Sequence, residues 1–191
     1  FDHLTWDGLT TEMEGEPQIT LQVYDGIMGQ IQVEYKVRIT DSTGVQSLVN
    51  AEDNFTMKWN DKRIYLMNYN RYANEVFQGE QKNFAGKRIL LGISDAKQIK
   101  ALKSENSRYI LFKVNGNLWR YDQHDKKATC LFTFSDGSNE DVRADYKKHD
   151  VKVLSVTDEG NVDFLVYGYM NRGNHEGENG IVGYHYTSAG N

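Results

Sequence analysis

Four histidines of the chain stand next to an acidic residue, and an imidazole beside a carboxylate can bind a metal ion. The pairs are Asp2-His3, His124-Asp125, His149-Asp150 and His175-Glu176, and the last three histidines are spaced 25 and 26 residues apart. Zn²⁺ needs three or four such ligands that converge at about 2.0 to 2.2 Å. Because adjacent residues on a strand point to opposite faces, the pattern favours ordinary polar residues. We predict no metal site and no cofactor.

The loop from Met170 to Gly180 is a second candidate, because loops rich in glycine and charged side chains often carry function. Its residues that tolerate left-handed backbone alternate with side chains that can contact a ligand. The latter are Arg172, His175, Glu176 and Glu178. The spacing of an EF-hand is missing, and the oxygen ligands are too few for Ca²⁺. The sequence favours a solvated connection between strands, and the alternative is a binding contact through those four side chains.

Aromatic residues are abundant, with twelve tyrosines and three tryptophans. An exposed ring with a polar tip suits sugar stacking or a protein interface, whereas alternating rings on a sheet also fill cores. Packing is the favoured interpretation for most of them. Trp119 and Tyr121 are the two rings that we retain as candidate binding residues, and Tyr65, Tyr69 and Tyr72 form another local cluster.

The sequence contains no signature of a reaction. Nucleophile elbows, P-loops, Rossmann glycine fingerprints, HExxH and CxxC are all missing. Glycoside hydrolysis requires two carboxylates facing each other across a cleft. Asp163, between Val162 and Phe164, is the acid that the sequence places closest to a buried position, with a wetter strand face as the alternative. We predict no catalytic residue and keep a glycan-directed hydrolase as the rival interpretation.

Composition narrows the classes of partner. The 191 residues carry a net charge of -5, with 22 basic and 27 acidic residues mixed along the chain. A continuous basic surface is therefore not expected, which argues against nucleic acid and anionic membranes as partners. With 39% hydrophobic residues, the chain can bury a core. Apolar runs such as Ile89 to Leu91 are too short to span a bilayer, and nothing in the sequence indicates an oligomeric state.

Cys130 is the only cysteine, so an internal disulfide is impossible, and its apolar neighbours predict a buried thiol. The chain begins at Phe1 rather than Met. We therefore expect a processed protein or an excised piece of a longer one.

Strands are expected along most of the chain. From Gln18 to Thr40, apolar and polar residues alternate on both sides of Asp25-Gly26, which predicts an antiparallel hairpin with one wet face and with Ile19, Leu21 and Val23 on one side. From Arg108 to Phe134, the pair Asn115-Gly116 is typical of a type I′ turn and predicts a β-meander. Further strands are expected at Arg63 to Tyr69, Arg88 to Ile93, Val151 to Thr157, Asn161 to Tyr169 and Ile181 to Tyr186. In Val162 to Tyr169, apolar residues occur at both odd and even positions, which predicts a strand covered on both faces.

Helices are expected to be short and few. Ser94 can cap a helix that continues to Lys103, with Asp95 in its first turn. Helical turns are also predicted at Tyr72 to Phe77 and at Asp141 to Tyr146, whereas Val45 to Lys58 is ambiguous between a helix and a loop. Residues Phe1 to Pro17 are polar and typical of turns.

The run Asn115 to Asp122, followed by Lys126-Lys127 and a β segment, resembles the turn, aromatic strand, aspartate, basic loop and strand of TolB-like β-propellers. The resemblance covers about residues 108–186 and implies blade-like sheets. Since a propeller blade takes about 40 to 45 residues, a ring within this chain would be small or incomplete. Propellers host many functions, so the resemblance implies architecture alone.

We therefore predict a mainly β protein of antiparallel meanders and hairpins, with incomplete propeller-like blades and one or two short helices; the alternative is α+β. Residues 1–44 are expected to form a β-hairpin region and residues 45–191 a β-meander region. The expected function is a non-catalytic binding or scaffold module of a larger, extracytoplasmic bacterial protein that contacts protein or glycan. A purely structural or sensory domain is a further alternative.

Overall fold

The computed structural model describes residues 5–86, 88–92, 99–135 and 142–188. Within these residues the chain is mainly β, and all of its sheets are antiparallel. The predicted fold class is thereby confirmed. The chain divides into two compact units, Phe1–Val76 with Gly92–Ser94, and Phe77–Leu91 with Asp95–Asn191.

The first unit contains a four-stranded sheet in which the strands follow one another in chain order. Its strands are β1 (Thr10–Tyr24), β2 (Met28–Thr40), β3 (Gln46–Trp59) and β4 (Ile64–Glu75). They contain 12 to 15 residues each, which is far longer than the usual strand of about five or six. The sheet therefore extends the hairpin that was predicted for Gln18 to Thr40.

Two side chains close the hairpins at one end of this sheet. The Asp25 carboxylate accepts hydrogen bonds from the backbone amides of Ile27 at 2.9 Å and Met28 at 2.6 Å. The Asn60 side chain accepts bonds from the amides of Lys62 and Arg63, both at 3.0 Å. Such Asx turns replace backbone partners that the turn lacks. This end of the sheet is called the turn end below.

Three local predictions for the first unit were wrong or incomplete. Residues Thr10 to Pro17 are part of β1, and the ambiguous segment Val45 to Lys58 is almost entirely β3. The helical turns predicted at Tyr72 to Phe77 are absent from the described residues, because Tyr72 and Ala73 pair with Glu52 and Ala51 of β3. Pairing with a neighbouring strand outweighs a helical spacing that is only one or two turns long.

Pro17 is accommodated in β1 by an irregularity in the ladder. The register passes from Glu14 opposite Lys36 to Gln18 opposite Glu34, so that three residues of β1 oppose Tyr35 alone. Gly15 has a φ of 74° within this bulge. A proline in an edge strand sacrifices no ladder hydrogen bond when it lies in a bulge.

The second unit contains two meanders. One comprises β7 (Leu102–Lys103), β8 (Tyr109–Val114), β9 (Asn117–Asp122) and β10 (Lys127–Phe132), and the other comprises β11 (His149–Val156), β12 (Val162–Tyr169) and β13 (Asn179–Tyr186). A small pair, β5 (Phe84–Ala85) and β6 (Arg88–Ile89), completes the unit. Asn115 and Gly116 have φ values of 51° and 77°, which confirms the predicted hairpin turn. Both meanders are compatible with blade-like units, and no sheet closes within the described residues.

The helix predicted from Ser94 to Lys103 was wrong at its C-terminal end, because Leu102 and Lys103 form β7 and pair with Leu111 and Ile110. Ser94 and Asp95 lie outside the described residues. Short 3-10 turns occur at Gln81–Asn83 and at Val142–Asp145. The second confirms the helical turn expected near Asp141 to Tyr146, although Asp141 itself lies outside the described part of the chain.

Two hydrophobic clusters stabilise the second unit. Val162, Phe164 and Val166 of β12 are buried in the first cluster, and the second is built around Phe77, Phe112 and Val114. The prediction that β12 is covered on both faces was wrong, since Tyr167 on the opposite face is exposed. The Cys130 thiol is half-buried, and its burial raises its pKa, which makes it a poor nucleophile.

Gly168 provides a test of this packing. It has a φ of 106° within β12, and a Cβ there would overlap the backbone carbonyl oxygen of Lys148. We expect Gly168→Ala to lower the free energy of unfolding of the second unit by about 2 kcal/mol more than Gly173→Ala. Gly173 is a matched control, because its φ is 93° and nothing lies within 4 Å of the added carbon. Hydrogen exchange of the β11 and β12 amides, measured at increasing urea concentration, gives the free energy of unfolding of each variant. Equal losses of stability in the two variants would contradict the overlap.

Candidate binding surfaces

The two aromatic candidates from the sequence lie in the second cluster. The Trp119 ring packs edge-on against Phe77, with centroids 5.0 Å apart. The Tyr121 ring stacks on Phe84 at 4.9 Å. Both side chains are half-buried, so their rings are used for packing at least in part. Their role in ligand binding stays a prediction.

The four loop candidates, Arg172, His175, Glu176 and Glu178, lie together and pair with one another. Arg172 Nη1 is 2.8 Å from Glu176 Oε1, and the same oxygen lies 2.9 Å from Arg143 Nη1. His175 Nδ1 is 3.2 Å from Glu178 Oε2. Backbone bonds from Met170 to Glu178 and from Gly177 to Met170, each 2.9 Å, give the loop a defined path. A binding role for these side chains also stays a prediction.

The histidine–acid pairs are used locally. His124 Nδ1 lies 2.6 Å from the Asp125 carboxylate, whereas the His149 ring packs on Phe134 at 4.7 Å. Asp150 is bound by Lys113 at 2.5 Å and by the Tyr167 hydroxyl at 2.9 Å. Among the described residues, no group of three or more His, Cys, Asp or Glu side chains is placed to hold a metal ion. Asp2 and His3 lie outside those residues.

The prediction that Asp163 is buried was wrong, because its side chain is half-exposed. The alternative, a position on a solvent-facing side of the strand, is correct. Its carboxylate contacts His185 Nδ1 at 2.7 Å and accepts a hydrogen bond from Ser155 at 2.7 Å. These bonds, that of His185 first, lower the pKa of Asp163. A hydrolytic triad places histidine between serine and carboxylate. Here the carboxylate stands in the middle, so the imidazole does not activate the Ser155 hydroxyl.

Six carboxyl groups of the described residues have a pKa that differs from its ordinary value. The resolved shifts are all downward, at Asp25, Asp41, Asp122, Asp150, Glu159 and Asp163. A glycosidase acid needs a raised pKa so that it is protonated at neutral pH. None of these six groups has the raised pKa that such an acid needs.

The four-stranded sheet of the first unit presents two chemically different faces. Residues directly opposite each other in an antiparallel pair lie on the same side of the sheet, so the register defines each face. The apolar face carries Ile31, Val33, Tyr35, Val37 and Ile39 of β2, together with their partners on the other strands. The polar face carries Gln32, Glu34, Lys36, Arg38 and Thr40 with their partners.

A buried ion pair lies on the apolar face. Asp53 is 5% exposed, and it accepts hydrogen bonds from Arg71 Nε at 2.7 Å and Nη2 at 2.8 Å. The Tyr35 hydroxyl donates to the same carboxylate at 3.0 Å. The Trp6 ring covers the Arg71 guanidinium at 4.4 Å. A bidentate pair with a further donor is the arrangement in which buried charges are best compensated.

Two tyrosines on this face are held neutral. Burial and the Asp53 carboxylate raise the pKa of Tyr35 to about 12, and the same two causes raise the pKa of Tyr69 to about 12. The Tyr69 hydroxyl is buried and has no hydrogen bond of normal geometry. A negative charge on either ring would lie beside a carboxylate in a poorly solvated place.

From the row of the ion pair to the turn end, the apolar face carries six exposed large side chains. They are Ile19, Leu21, Tyr24, Trp59, Ile64 and Leu66, which are between 48% and 69% exposed. Ile19 and Leu21 share this face as predicted, and both are exposed. Val23 does not share their face, because an irregularity after Leu21 places it opposite Gln30. These six residues are called the apolar patch.

The polar face carries mainly amide, hydroxyl and charged side chains, with Val23 as an exposed aliphatic side chain near the turn end. One row across the sheet is Thr20, Gln32, Asn54 and Asn70, and the next is Gln18, Glu34, Glu52 and Tyr72. Tyr72 is the exposed member of the tyrosine cluster noted in the sequence, with 57% of its surface accessible. Sequence reasoning did not single out this ring, because the face on which it lies depends on the register of β3 and β4.

Comparisons of the chain with protein-family models, with curated proteins and with solved structures find no significant match. No helix among the described residues is long and apolar enough to cross a membrane. The geometry of the two faces is therefore the basis for a functional proposal.

Removing the cation from the buried ion pair tests how strongly the first unit depends on it. We expect Arg71→Met to cost about 3 to 5 kcal/mol, because a buried carboxylate loses its cation. Arg38→Met is the matched control, since Arg38 pairs with Glu14 on the polar face while 35% of its side chain remains exposed, and we expect a loss of about 1 kcal/mol or less. Hydrogen exchange of β2 and β3 amides during urea denaturation measures both. A loss for Arg71→Met no larger than the control would contradict the role of the pair.

Alkaline pH should destabilise the first unit. Unfolded tyrosine loses its proton near pH 10, whereas folded Tyr35 keeps it to about pH 12. In that window the unfolded state binds fewer protons, so the free energy of unfolding falls as pH rises. Tyr35→Phe should therefore lose less stability between pH 10 and 12 than the unchanged chain, as measured by urea titrations at each pH. Tyr24→Phe, on an exposed ring away from Asp53, is the control and should follow the unchanged chain. Parallel curves for all three would refute the explanation.

Proposed function

We propose that the chain is a non-catalytic binding module of a larger, extracytoplasmic bacterial protein, and that a partner protein docks on the apolar patch. The exposure of the six patch residues carries this proposal. Soluble proteins rarely leave a contiguous apolar surface of this kind uncovered unless another surface binds it. Mild net acidity and the richness in β-meanders and aromatic rings agree with a module that acts outside the cytoplasm.

The chemistry of the patch favours protein as the partner on this face. It offers two large rings, Tyr24 and Trp59, among aliphatic side chains on one face of the sheet. Tyrosine and tryptophan are enriched among the residues that contribute most to protein interfaces. Charged residues of the turns, among them Asp25 and Lys62, are exposed at the same end of the sheet and can supply a polar rim. An apolar centre with a polar rim is the usual arrangement of a specific interface.

The second unit fits a scaffold role. Its two antiparallel meanders are compatible with blade-like sheets, and we propose that they belong to a propeller-like repeat. The hydrolase alternative has no observation in its favour among the described residues.

Site-specific photo-crosslinking tests this proposal. A photoreactive residue at position 21, on the apolar patch, is compared with one at position 20 on the polar face. We expect position 21 to capture a protein that position 20 does not, and the captured protein, once purified, to bind the unchanged chain directly. Leu21→Lys with Leu66→Lys should reduce that affinity by about a hundred-fold or more, because a desolvated apolar centre loses two anchors.

Thr20→Lys with Asn68→Lys is the matched control, since it adds the same charge to exposed positions on the polar face. It should leave the affinity for the captured protein unchanged. Capture only from position 20, or equal affinities of the two double variants, would overturn the proposal.

A further inference from the structure

The polar face contains a broad uncharged region of hydrogen-bonding side chains. Its members are Thr20, Gln22, Gln30, Gln32, Asn54, Thr56, Asn68 and Asn70. Amides have both donors and acceptors, and hydroxyls do as well. Because strands are about 4.8 Å apart, such a surface offers repeated pairs of donors and acceptors in a flat array. Thr20, Gln30, Asn68 and Asn70 are exposed.

Tyr72 lies at the margin of this region, and four asparagines occupy the neighbouring positions on the same face of the sheet. It stands opposite Glu52, while Asn70 and Asn74 lie two residues away on the same face of β4. Asn50 and Asn54 occupy the diagonal positions on β3, where Cα atoms are typically about 7 to 8 Å away. Asn54 Nδ2 donates to Glu52 Oε1 at 2.8 Å. Glu52 thus has an ordered carboxylate beside an exposed aromatic ring.

Several charged side chains near this region make contacts of their own. Arg38 Nε lies 2.7 Å from Glu14 Oε1, and Lys36 and Glu34 also have partners. No row of unpaired cations is therefore available for phosphate or sulfate groups among these residues. In the register, polar side chains surround Tyr72, and Val23 is an exposed aliphatic side chain opposite Gln30, near the turn end. The surroundings of Tyr72 therefore lack the cluster of apolar anchors that a protein partner needs.

We propose that this region, centred on Tyr72, binds a neutral, unbranched glycan. A sugar ring stacks on the exposed Tyr72 ring, because the apolar face of a pyranose covers an aromatic surface. The amides of Asn70 and Asn54 and the Glu52 carboxylate bind its hydroxyl groups, and neighbouring sugars follow the uncharged rows toward the turn end. A neutral polyol is the ligand class that satisfies both an aromatic platform and many amides without a net charge.

This inference is independent of the protein-binding proposal, because the two sites lie on opposite faces of one sheet. Leu21→Lys with Leu66→Lys should weaken protein docking, as stated above, and leave glycan binding unchanged. Failure of one proposal can therefore be recognised without affecting the other.

Titration of the whole chain with cellohexaose and with chitohexaose, followed by amide NMR, tests the glycan site. At least one of these neutral probes should shift the resonances of Glu52, Asn54, Asn70 and Tyr72. Tyr72→Ala should weaken binding by about ten-fold or more, whereas Tyr72→Phe should keep most of it because the ring remains. Tyr24→Ala, which removes an exposed ring from the apolar face, is the control and should bind as the unchanged chain does.

Three results would overturn the proposal. One is that neither neutral hexasaccharide shifts these resonances. Another is that Tyr24→Ala weakens binding as much as Tyr72→Ala, which would place the sugar on the apolar face. The third is that fragments of anionic polygalacturonate bind more tightly than both neutral probes, since the region has no cations to favour them.

Discussion

Antiparallel pairing between neighbouring strands is the constraint on which the first unit depends. Its four strands are joined by continuous ladders, and the register of those ladders decides on which side each residue lies. A shift of one residue would move an entire set of side chains to the other side. The contrast between an aliphatic face and an amide-rich face is therefore a property of pairing and not of any single residue. The Asp53–Arg71 ion pair joins β3 to β4 across the same register.

Much of the fold can be predicted from the alternation of apolar and polar residues and from the residue types that favour turns. Alternation in β2 and the Asn115-Gly116 turn each depend on neighbouring residues alone, and the structure confirms both. The errors occur where distant pairing decides the outcome. Tyr72 and Ala73 have helical spacing, yet β3 offers them a partner strand. Leu102 and Lys103 likewise pair with β8 instead of ending a helix.

The candidate sites were less accessible to sequence reasoning than the fold. Trp119 and Tyr121 stood out because they are aromatic and close together, but a sequence does not say whether a ring packs or faces solvent. Asp163 lies between two apolar residues, but in a strand its neighbours point the other way, and its own face is wet. The apolar patch and the surroundings of Tyr72 combine residues from several strands. A pattern within one segment does not contain that information.

The irregular course of β1 around Pro17 has a consequence for how anything can approach the sheet. An outer strand with an unbroken ladder invites a foreign strand to add itself to the sheet, which leads to aggregation. Here, three residues opposite Tyr35 and a second irregularity after Leu21 interrupt that outer margin, and β4 has its own interruption near Met67. The margin formed by β1 therefore offers no long, regular template for strand addition, whereas β4 keeps a continuous ladder from Asn68 to Glu75. The irregular backbone of β1 thus protects one of the two margins of the sheet from edge-to-edge association.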